Sequence, residues 1–288
     1  MKVVVVGAGA WGTVFAGLLR DRDHEVTLLG REREDADFEG AELIVLAVPS
    51  RSFAEVVGSL PDGTPLLSLT KGLDPQTGER LSTRVGGRPF AVLSGPNFAE
   101  EIGKGLPAAA VVASDDEALA VELQHAINSS SFRVYVNNDP AGVELAAAAK
   151  NVIALAAGAI DGLALGDNAK AAVITLGLAD MRRLGVATGA KAETFAGLAG
   201  TGDLLATCWS RISRNRRAGA LMARGATPQD AVRKLHTVEG LTTAPVLYDL
   251  SKRLGIELPV THGIADALAG RPIGHVIADF MRRPPTGE

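Results

Sequence analysis

Residues 2–21 read KVVVVGAGAWGTVFAGLLRD, and this stretch decides the fold of the first half of the chain. An apolar strand runs directly into three glycines with GxGxxG spacing, and a helical run follows them. In that spacing the first glycine makes a tight turn, the second lets a pyrophosphate approach the main chain, and the third lets the helix pack closely. The N-terminus of the helix then faces the phosphates.

The stretch therefore predicts a dinucleotide-binding site, and a glycine-rich turn that holds no ligand is the alternative. The residues that we assign to the cofactor here are those of the turn and of the first helical positions, Gly7, Gly9, Ala10, Trp11 and Gly12.

Other short apolar runs predict the rest of a sheet, at residues 25–29, 43–48, 65–69, 90–93, 108–113 and 132–136. Several of them lack polar alternation, which is typical of strands that are buried on both faces of a parallel sheet. Residues 115–127 have an acidic first turn and predict a covering helix. We therefore expect a mostly parallel sheet with helices on each side.

The residue pattern changes at NNDP, residues 137–140. After it, the composition is typical of helices to the end of the chain. We predict an α/β, Rossmann-like domain over residues 1–137 and an all-α domain over residues 138–288, with the active site in the cleft between them. The tail RRPPTGE, residues 282–288, is expected to fray.

Composition limits the classes of function. The formal net charge of −4 argues against a general nucleic-acid binder. The single cysteine, Cys208, excludes an internal disulfide framework and a cysteine-based zinc site, and the five histidines lack ligand spacing, so we expect no metal. We find no apolar run near the ~18 residues that a membrane span needs. We expect a cytoplasmic protein without membrane insertion.

The end of the second strand bears on the choice of cofactor. An NAD site often has an acidic residue there, about 20 residues after the glycines. Here Gly30 and Arg31 occupy the position, and Glu32 follows. Arg31 could bind a 2′-phosphate or stack on adenine, which gives a lean toward NADPH over NADH. A solvated surface arginine is the alternative.

Three loops follow predicted strands: AVPS at 47–50, SLTKGL at 68–73 and LSGPNFAEEI at 93–102. Ligands of open α/β sheets bind at the carboxyl ends of the strands, so Lys71 is placed to meet an anion. A surface lysine in a turn is the alternative for Lys71. For Asn97, which starts a helix after SGP, the alternative is plain helix capping.

The segment VELAAAAKNVIALAAG, residues 143–158, is apolar nearly all round and predicts a buried helix that Lys150 and Asn151 interrupt. Desolvation lowers the pKa of a buried lysine, so Lys150 is a candidate general acid or base. A lysine that extends to the surface is an equal alternative.

Residues 199–217 read AGTGDLLATCWSRISRNRR. Asp203 and Thr207 lie four apart, on one face if helical, and Asp203 could orient Lys150. Arg214 and Asn215 could hold a phosphate, the arginine with a bidentate grip. A solvated basic surface is the alternative for this run of arginines.

Taken in order, GAGAWG, AVPS, TKGL, SGPNFAEE, the KNVIA helix, AGTGDLLATC, SRNRRAG and VEG resemble the bacterial NAD(P)-dependent glycerol-3-phosphate dehydrogenases over nearly the whole chain. The resemblance implies reversible hydride transfer between NADPH or NADH and dihydroxyacetone phosphate or sn-glycerol 3-phosphate, in the service of phospholipid synthesis. It also implies a homodimer. The alternatives are a related dehydrogenase acting on another small acid, such as a β-hydroxyacid, and a binding module without catalysis.

The resemblance also implies roles for single residues. Lys150 matches the catalytic lysine, which exchanges a proton with the substrate oxygen. The positions that match substrate-binding residues are Lys71, Gly95, Asn151, Asp203, Thr207, Ser213, Arg214 and Asn215. Those that match further cofactor-binding residues are Lys71, Ala99, Arg214, Val238 and Glu239. The family usually has Thr or Ser where this chain has Asn97.

One segment departs from the family, which has a longer connection with a crossover helix between the second and third strands. Only residues 32–42 separate Arg31 from Leu43 here. A parallel crossover normally needs a dozen or more residues. Either the third strand is shifted or the link is an irregular extended piece, and the segment lies on the adenine side.

Overall fold

A computed structural model of the protein describes residues 1–32 and 34–282. The tail 282–288 was expected to fray, but Arg282 is the last residue of a helix; residues 283–288 lie outside the described residues. The chain divides into two compact units, Met1–Glu144 and Leu145–Glu288. The boundary after residue 137, expected from the sequence, stays a prediction for the functional domains.

The first unit is built on a seven-stranded sheet. Its strands are β1 (Lys2–Val6), β2 (Glu25–Leu29), β3 (Leu43–Leu46), β4 (Leu66–Ser68), β5 (Phe90–Ser94), β6 (Ala108–Ala113) and β7 (Phe132–Asn137). Their order is β2-β1-β3-β4-β5-β6-β7, and only the β5–β6 pair is antiparallel. The predicted mostly parallel sheet is confirmed.

The valine run of β1 serves both faces of this sheet. Val3 and Val5 pack into one buried cluster, and Val4 and Val6 pack into another. Successive side chains of a strand point to opposite faces, so a central strand must be apolar at every position. The helices of this unit are α1 (Ala10–Arg20), α2 (Ser50–Gly58), α3 (Ala99–Ile102) and α4 (Glu117–Ile127).

The short link between β2 and β3 leaves the third strand where the sequence predicted its start. Leu43 pairs in parallel with Val3, so the strand is not shifted. The link is not wholly extended, because it contains a 3-10 turn at Asp35–Phe38. Phe38 is buried in the same apolar cluster as Val4, and it covers the sheet face that a crossover helix would otherwise cover.

The second unit is helical throughout its described residues. Its helices are α5 (Pro140–Gly162), which starts in the first unit, α6 (Gly166–Ala187), α7 (Ala192–Ala196), α8 (Asp203–Trp209), α9 (Arg214–Ala223), α10 (Pro228–Leu235), α11 (Glu239–Leu254), α12 (Pro259–Leu268) and α13 (Ile273–Arg282). The predicted all-α second half is confirmed.

Helix α5 corrects one expectation. By length and hydropathy alone it could cross a membrane, although the sequence analysis found no such run. Its most apolar window is wholly buried within the structure. An apolar surface on all sides of a helix is also typical of the core helix of a large domain, and the burial of α5 fits that class.

Asp180 on α6 caps the start of α12. Its carboxylate accepts hydrogen bonds from the main-chain N–H groups of Val260 (2.9 Å) and Thr261 (3.1 Å) and from Arg183 (3.2 Å). Leu258, which precedes α12, supplies no side-chain cap of its own. The cap therefore comes from a helix that is distant in sequence.

Burial raises the pKa of Asp180 to about 6 from an ordinary 3.8, against the opposing effect of these hydrogen bonds. The folded chain then holds this proton more tightly than the unfolded chain. The contribution to stability is present below about pH 4 and is lost as the pH rises to about 6, by about 3 kcal/mol.

Asp180→Asn should remove this pH dependence, because the amide does not titrate and its oxygen can still accept the helix N–H groups. We expect the stability of the wild type relative to Asp180→Asn to fall by about 2–3 kcal/mol between about pH 4 and pH 7. Urea unfolding of both proteins at the two pH values measures it. A constant difference would contradict this reading of Asp180.

Candidate active site

The glycine turn after β1 has the geometry that the sequence predicted. Gly7 has φ +117°, and a Cβ built on it would lie 2.4 Å from the carbonyl oxygen of Ala47. A Cβ on Gly12 would lie 1.9 Å from the carbonyl oxygen of Gly7, so this position needs glycine for helix packing. A Cβ on Gly9 would meet nothing within 4 Å. The open space above Gly9 fits a pyrophosphate that approaches the main chain.

Helix α1 begins at Ala10 without a side-chain cap on its N–H groups. These groups and the helix dipole suit an anion, so the turn fits the phosphates of a dinucleotide. The ring of Trp11 packs against Phe15 and Phe132, with centroid distances of 5.6 and 6.2 Å. The indole is therefore partly buried and packs against the core of the first unit.

Arg31 is exposed and lines an open groove of about 490 Å³ at the carboxyl end of β2. Glu32, Glu34 and Asp37 line the same groove. The guanidinium would attract a 2′-phosphate and the carboxylates would repel it. The groove therefore adds no support for a preference for NADPH over NADH. That preference stays a prediction.

Lys71, Gly95 and Asn97 come together where β4 and β5 end. The Lys71 ammonium donates to the carbonyl of Gly95 (3.1 Å) and to Oδ1 of Asn97 (2.6 Å). Gly95 has φ +140°, and a Cβ there would lie 2.9 Å from Cα of Ala110, so this turn needs glycine. Asn97 is buried, and its Nδ2 has no partner among the described residues. Ala99 begins α3 just beyond this group.

Lys150, Asp203 and Thr207 form a closed buried triangle in the second unit. The Lys150 ammonium forms an ion pair with the Asp203 carboxylate and donates to Thr207 Oγ1 at 3.0 Å. Thr207 in turn donates to Asp203 Oδ1 at 3.3 Å. The side chains of Lys150 and Asp203 are only 6% and 3% exposed. Lys150 is therefore buried and paired rather than extended to solvent.

A π-helical turn at Leu198–Gly202 directly precedes Asp203, which is the first residue of α8 and belongs to this triangle. A Cβ on Gly200 would lie 2.2 Å from the carbonyl oxygen of Phe195, so a side chain does not fit in the turn. Thr201 Oγ1 donates to the same carbonyl at 2.9 Å. Single π turns often occur at functional sites, where they reorient a side chain.

Cys208 follows Thr207 and is fully buried. Burial raises the pKa of its thiol to about 12, although the nearby Lys150 ammonium opposes this. The side chain therefore stays a neutral thiol and serves as a small apolar residue. Among the described residues, no group of three or more His, Cys, Asp or Glu side chains could hold a metal ion.

Asn151 and Asn215 connect three helices. Asn215 Nδ2 donates to Asn151 Oδ1, and Asn215 Oδ1 accepts from the N–H of Gly240, both at 2.9 Å. Gly240 lies in the first turn of α11, directly after Val238 and Glu239. Asn215 therefore fixes the predicted cofactor segment to the predicted substrate residues, and one N–H of its amide is left for a ligand.

Ser213 caps α9, its hydroxyl accepting from the N–H of Arg216 at 3.3 Å. Arg214 follows as the first helical residue and is exposed, as is Arg217. The start of α9 thus presents an arginine beside main-chain N–H groups, an arrangement that binds phosphates.

A partly buried charge cluster, which no sequence pattern predicted, lies beside α9. Arg216 donates from Nε to Asp161 at 2.5 Å. Lys170 donates to both oxygens of the same carboxylate, at 3.1 and 3.0 Å, and lies 4.7 Å from the centroid of Trp209. Part of the arginine run is therefore structural. The partners lie up to 55 residues apart, so no local pattern could reveal them.

Comparisons with known proteins identify the family of this chain. The family model described as "NAD-dependent glycerol-3-phosphate dehydrogenase C-terminus" matches residues 139–273, and the corresponding N-terminus model matches residues 35–120. A glycerol-3-phosphate dehydrogenase [NAD(P)+] from Moorella thermoacetica is 41% identical over 100% of this chain and 97% of its own length. One from a Synechococcus strain is 44% identical over 94% and 90%.

A solved structure leads to the same family. The crystal structure of glycerol-3-phosphate dehydrogenase from Coxiella burnetii superposes with a TM-score of 0.93 at 33% identity, and it covers 98% of this chain and 99% of that one. The chain therefore belongs to the NAD-dependent glycerol-3-phosphate dehydrogenase family.

Proposed function

We propose that this chain catalyses reversible hydride transfer between NADPH or NADH and C2 of dihydroxyacetone phosphate, forming sn-glycerol 3-phosphate. The observation that carries the proposal is the buried Lys150, which Asp203 and Thr207 hold in place. A buried lysine with a fixed direction is a suitable proton donor for a forming alkoxide. Membership of the family supplies the substrate class.

In the direction of reduction, a reduced nicotinamide held at the glycine turn would supply a hydride to C2. As the carbon–oxygen double bond becomes single, its electron pair moves to the oxygen, and Lys150 Nζ gives that oxygen a proton. The positive charge of Lys150 also stabilises the developing oxyanion before the proton moves. Asp203 favours the protonated ammonium and orients it, and Thr207 completes the fixed geometry.

The phosphate of the substrate is assigned to Arg214 and to the start of α9, with the remaining amide N–H of Asn215. A guanidinium can bind a phosphate with two parallel hydrogen bonds, and the helix N-terminus adds main-chain donors. Anchoring the phosphate lowers the entropic cost of holding C2 at the reacting position. Lys71, Gly95, Asn151 and Ser213 keep their proposed substrate roles.

Arg214→Ala should raise the KM for dihydroxyacetone phosphate by about 10–100-fold, because a charge-assisted hydrogen bond contributes ~1.5–3 kcal/mol. The matched control is Arg217→Ala, which removes the same charge from an exposed site on the same helix. Steady-state rates at varied substrate concentration measure both. An unchanged KM in Arg214→Ala would show that Arg214 does not bind the phosphate of the substrate.

For the cofactor we propose the turn at Gly7, Gly9, Ala10, Trp11 and Gly12, with Arg31, Lys71, Ala99, Arg214, Val238 and Glu239 as further contacts. We also propose that the protein is a cytoplasmic homodimer that supplies glycerol 3-phosphate for phospholipid synthesis. Sedimentation of the purified chain tests the dimer.

A further inference from the structure

Helices α5 and α9 touch through their main chains. A Cβ built on Gly158 would lie 1.9 Å from the carbonyl oxygen of Arg216, and one built on Gly219 would lie 1.9 Å from that of Leu155. No side chain therefore separates the helices at these points. A glycine that faces the main chain of the other helix lets the backbones approach closely, but it offers no side chain that interlocks with that helix to prevent sliding. Other contacts must fix the register of the two helices.

Two polar contacts between α5 and α9 can do so. The first joins Asn215 to Asn151, the residue next to Lys150. The second joins Arg216 Nε to Asp161 Oδ2, one residue further along α9 and ten residues further along α5. Lys170 also binds Asp161, and its side chain is only 4% exposed. The Asp161 carboxylate is thus held by two cations in a partly buried site, through charge-assisted hydrogen bonds.

We infer that Asp161 is a positioning residue: through Arg216 it fixes the first turn of α9 and so places Arg214 for the phosphate of the substrate. The inference rests on the proposed function of Arg214. Arg214 and Arg216 belong to the same helical turn, so a rotation or slide of α9 that breaks the Asp161 contact also displaces the guanidinium of Arg214. A misplaced guanidinium loses its bidentate geometry toward phosphate.

The direction of the change in KM distinguishes a positioning role of Asp161 from a direct effect of its charge. Asp161→Asn removes a negative charge from the neighbourhood of the phosphate. The weaker electrostatic repulsion alone would lower the KM for dihydroxyacetone phosphate. Loss of positioning would raise it. We expect the KM for dihydroxyacetone phosphate to rise about 10-fold, with kcat within about threefold of the wild type.

Asp161→Asn also leaves Lys170 with a buried charge and a weaker partner, which can unfold the unit. Arg216→Gln avoids this, because Asp161 and Lys170 still neutralise each other. Its matched control is Arg217→Gln, which removes the same charge from the neighbouring exposed position. We expect about a 10-fold higher KM in Arg216→Gln and less than a twofold change in Arg217→Gln.

The experiment compares these variants with the wild type in steady-state assays, after circular dichroism has confirmed that each is folded. If Arg216→Gln and Arg217→Gln raise KM equally, or if folded Asp161→Asn lowers KM or leaves it unchanged, the inference is wrong. Failure of the proposed function is distinct, because the wild type itself would then show no turnover that depends on dihydroxyacetone phosphate.

Discussion

Lys150→Ala is expected to lower kcat by a factor of ~10²–10⁴, the usual contribution of general acid–base catalysis. The variant loses both the proton donor and the positive charge that faces the developing oxyanion. Cofactor affinity should change little, because the cofactor turn lies in the first unit, around Gly7. Stopped-flow or steady-state turnover, with fluorescence titration of the reduced cofactor, measures the two quantities separately.

The control for this variant addresses stability. Removing Lys150 leaves the buried Asp203 carboxylate without its ion pair, and such a loss can cost ~3–5 kcal/mol. The double variant Lys150→Ala, Asp203→Asn removes the uncompensated charge. It should regain much of the stability and none of the turnover. Near-normal turnover in folded Lys150→Ala would show that Lys150 is not the proton donor.

Gly158→Ala is expected to destabilise the second unit by ~3 kcal/mol or more, at the upper end of the usual cost of overpacking. The added methyl group would lie 1.9 Å from the main-chain oxygen of Arg216, and that oxygen cannot move without its helix. Helices α5 and α9 must therefore separate. A shift of the melting temperature by roughly 6–12 °C follows for a protein of this size.

The matched control is Gly17→Ala in α1, where an added Cβ meets nothing within 4 Å. Alanine is the better residue in a helix interior, so this same substitution should stabilise the protein by ~0.5–1 kcal/mol. Thermal unfolding of the two variants beside the wild type gives both values. A melting temperature of Gly158→Ala equal to that of the wild type would show that the two helices do not meet here as described.

The sequence predicted the sheet well because its signals are local. The valines of β1 and the three glycines after them specify a strand, a turn and a helix within about 20 residues, and the structure confirms each element. Strand ends were less accurate: the third strand ends at Leu46 rather than residue 48. The short link illustrates a further limit, since a buried Phe38 covers the sheet in place of a crossover helix.

The second unit was harder to predict in detail. Its residue types revealed helices and singled out Lys150, but a helix that is apolar all round does not indicate which face meets which neighbour. The contacts of Asp161 with Arg216 and of Asp180 with the start of α12 join residues that are 55 and 80 positions apart. The GAIDG segment at residues 158–162 was the available hint, because glycines four apart allow two helices to approach closely.

The most direct test of the account is the absorbance of the reduced nicotinamide, followed with purified protein, dihydroxyacetone phosphate, and NADPH or NADH in parallel. We predict rapid oxidation of at least one cofactor, one equivalent per substrate, and almost none with unphosphorylated dihydroxyacetone at the same concentration. The ratio of the two rates reports what Arg31 and its acidic neighbours do. No oxidation with either cofactor, or oxidation driven only by a non-phosphorylated acid, would contradict the proposed reaction.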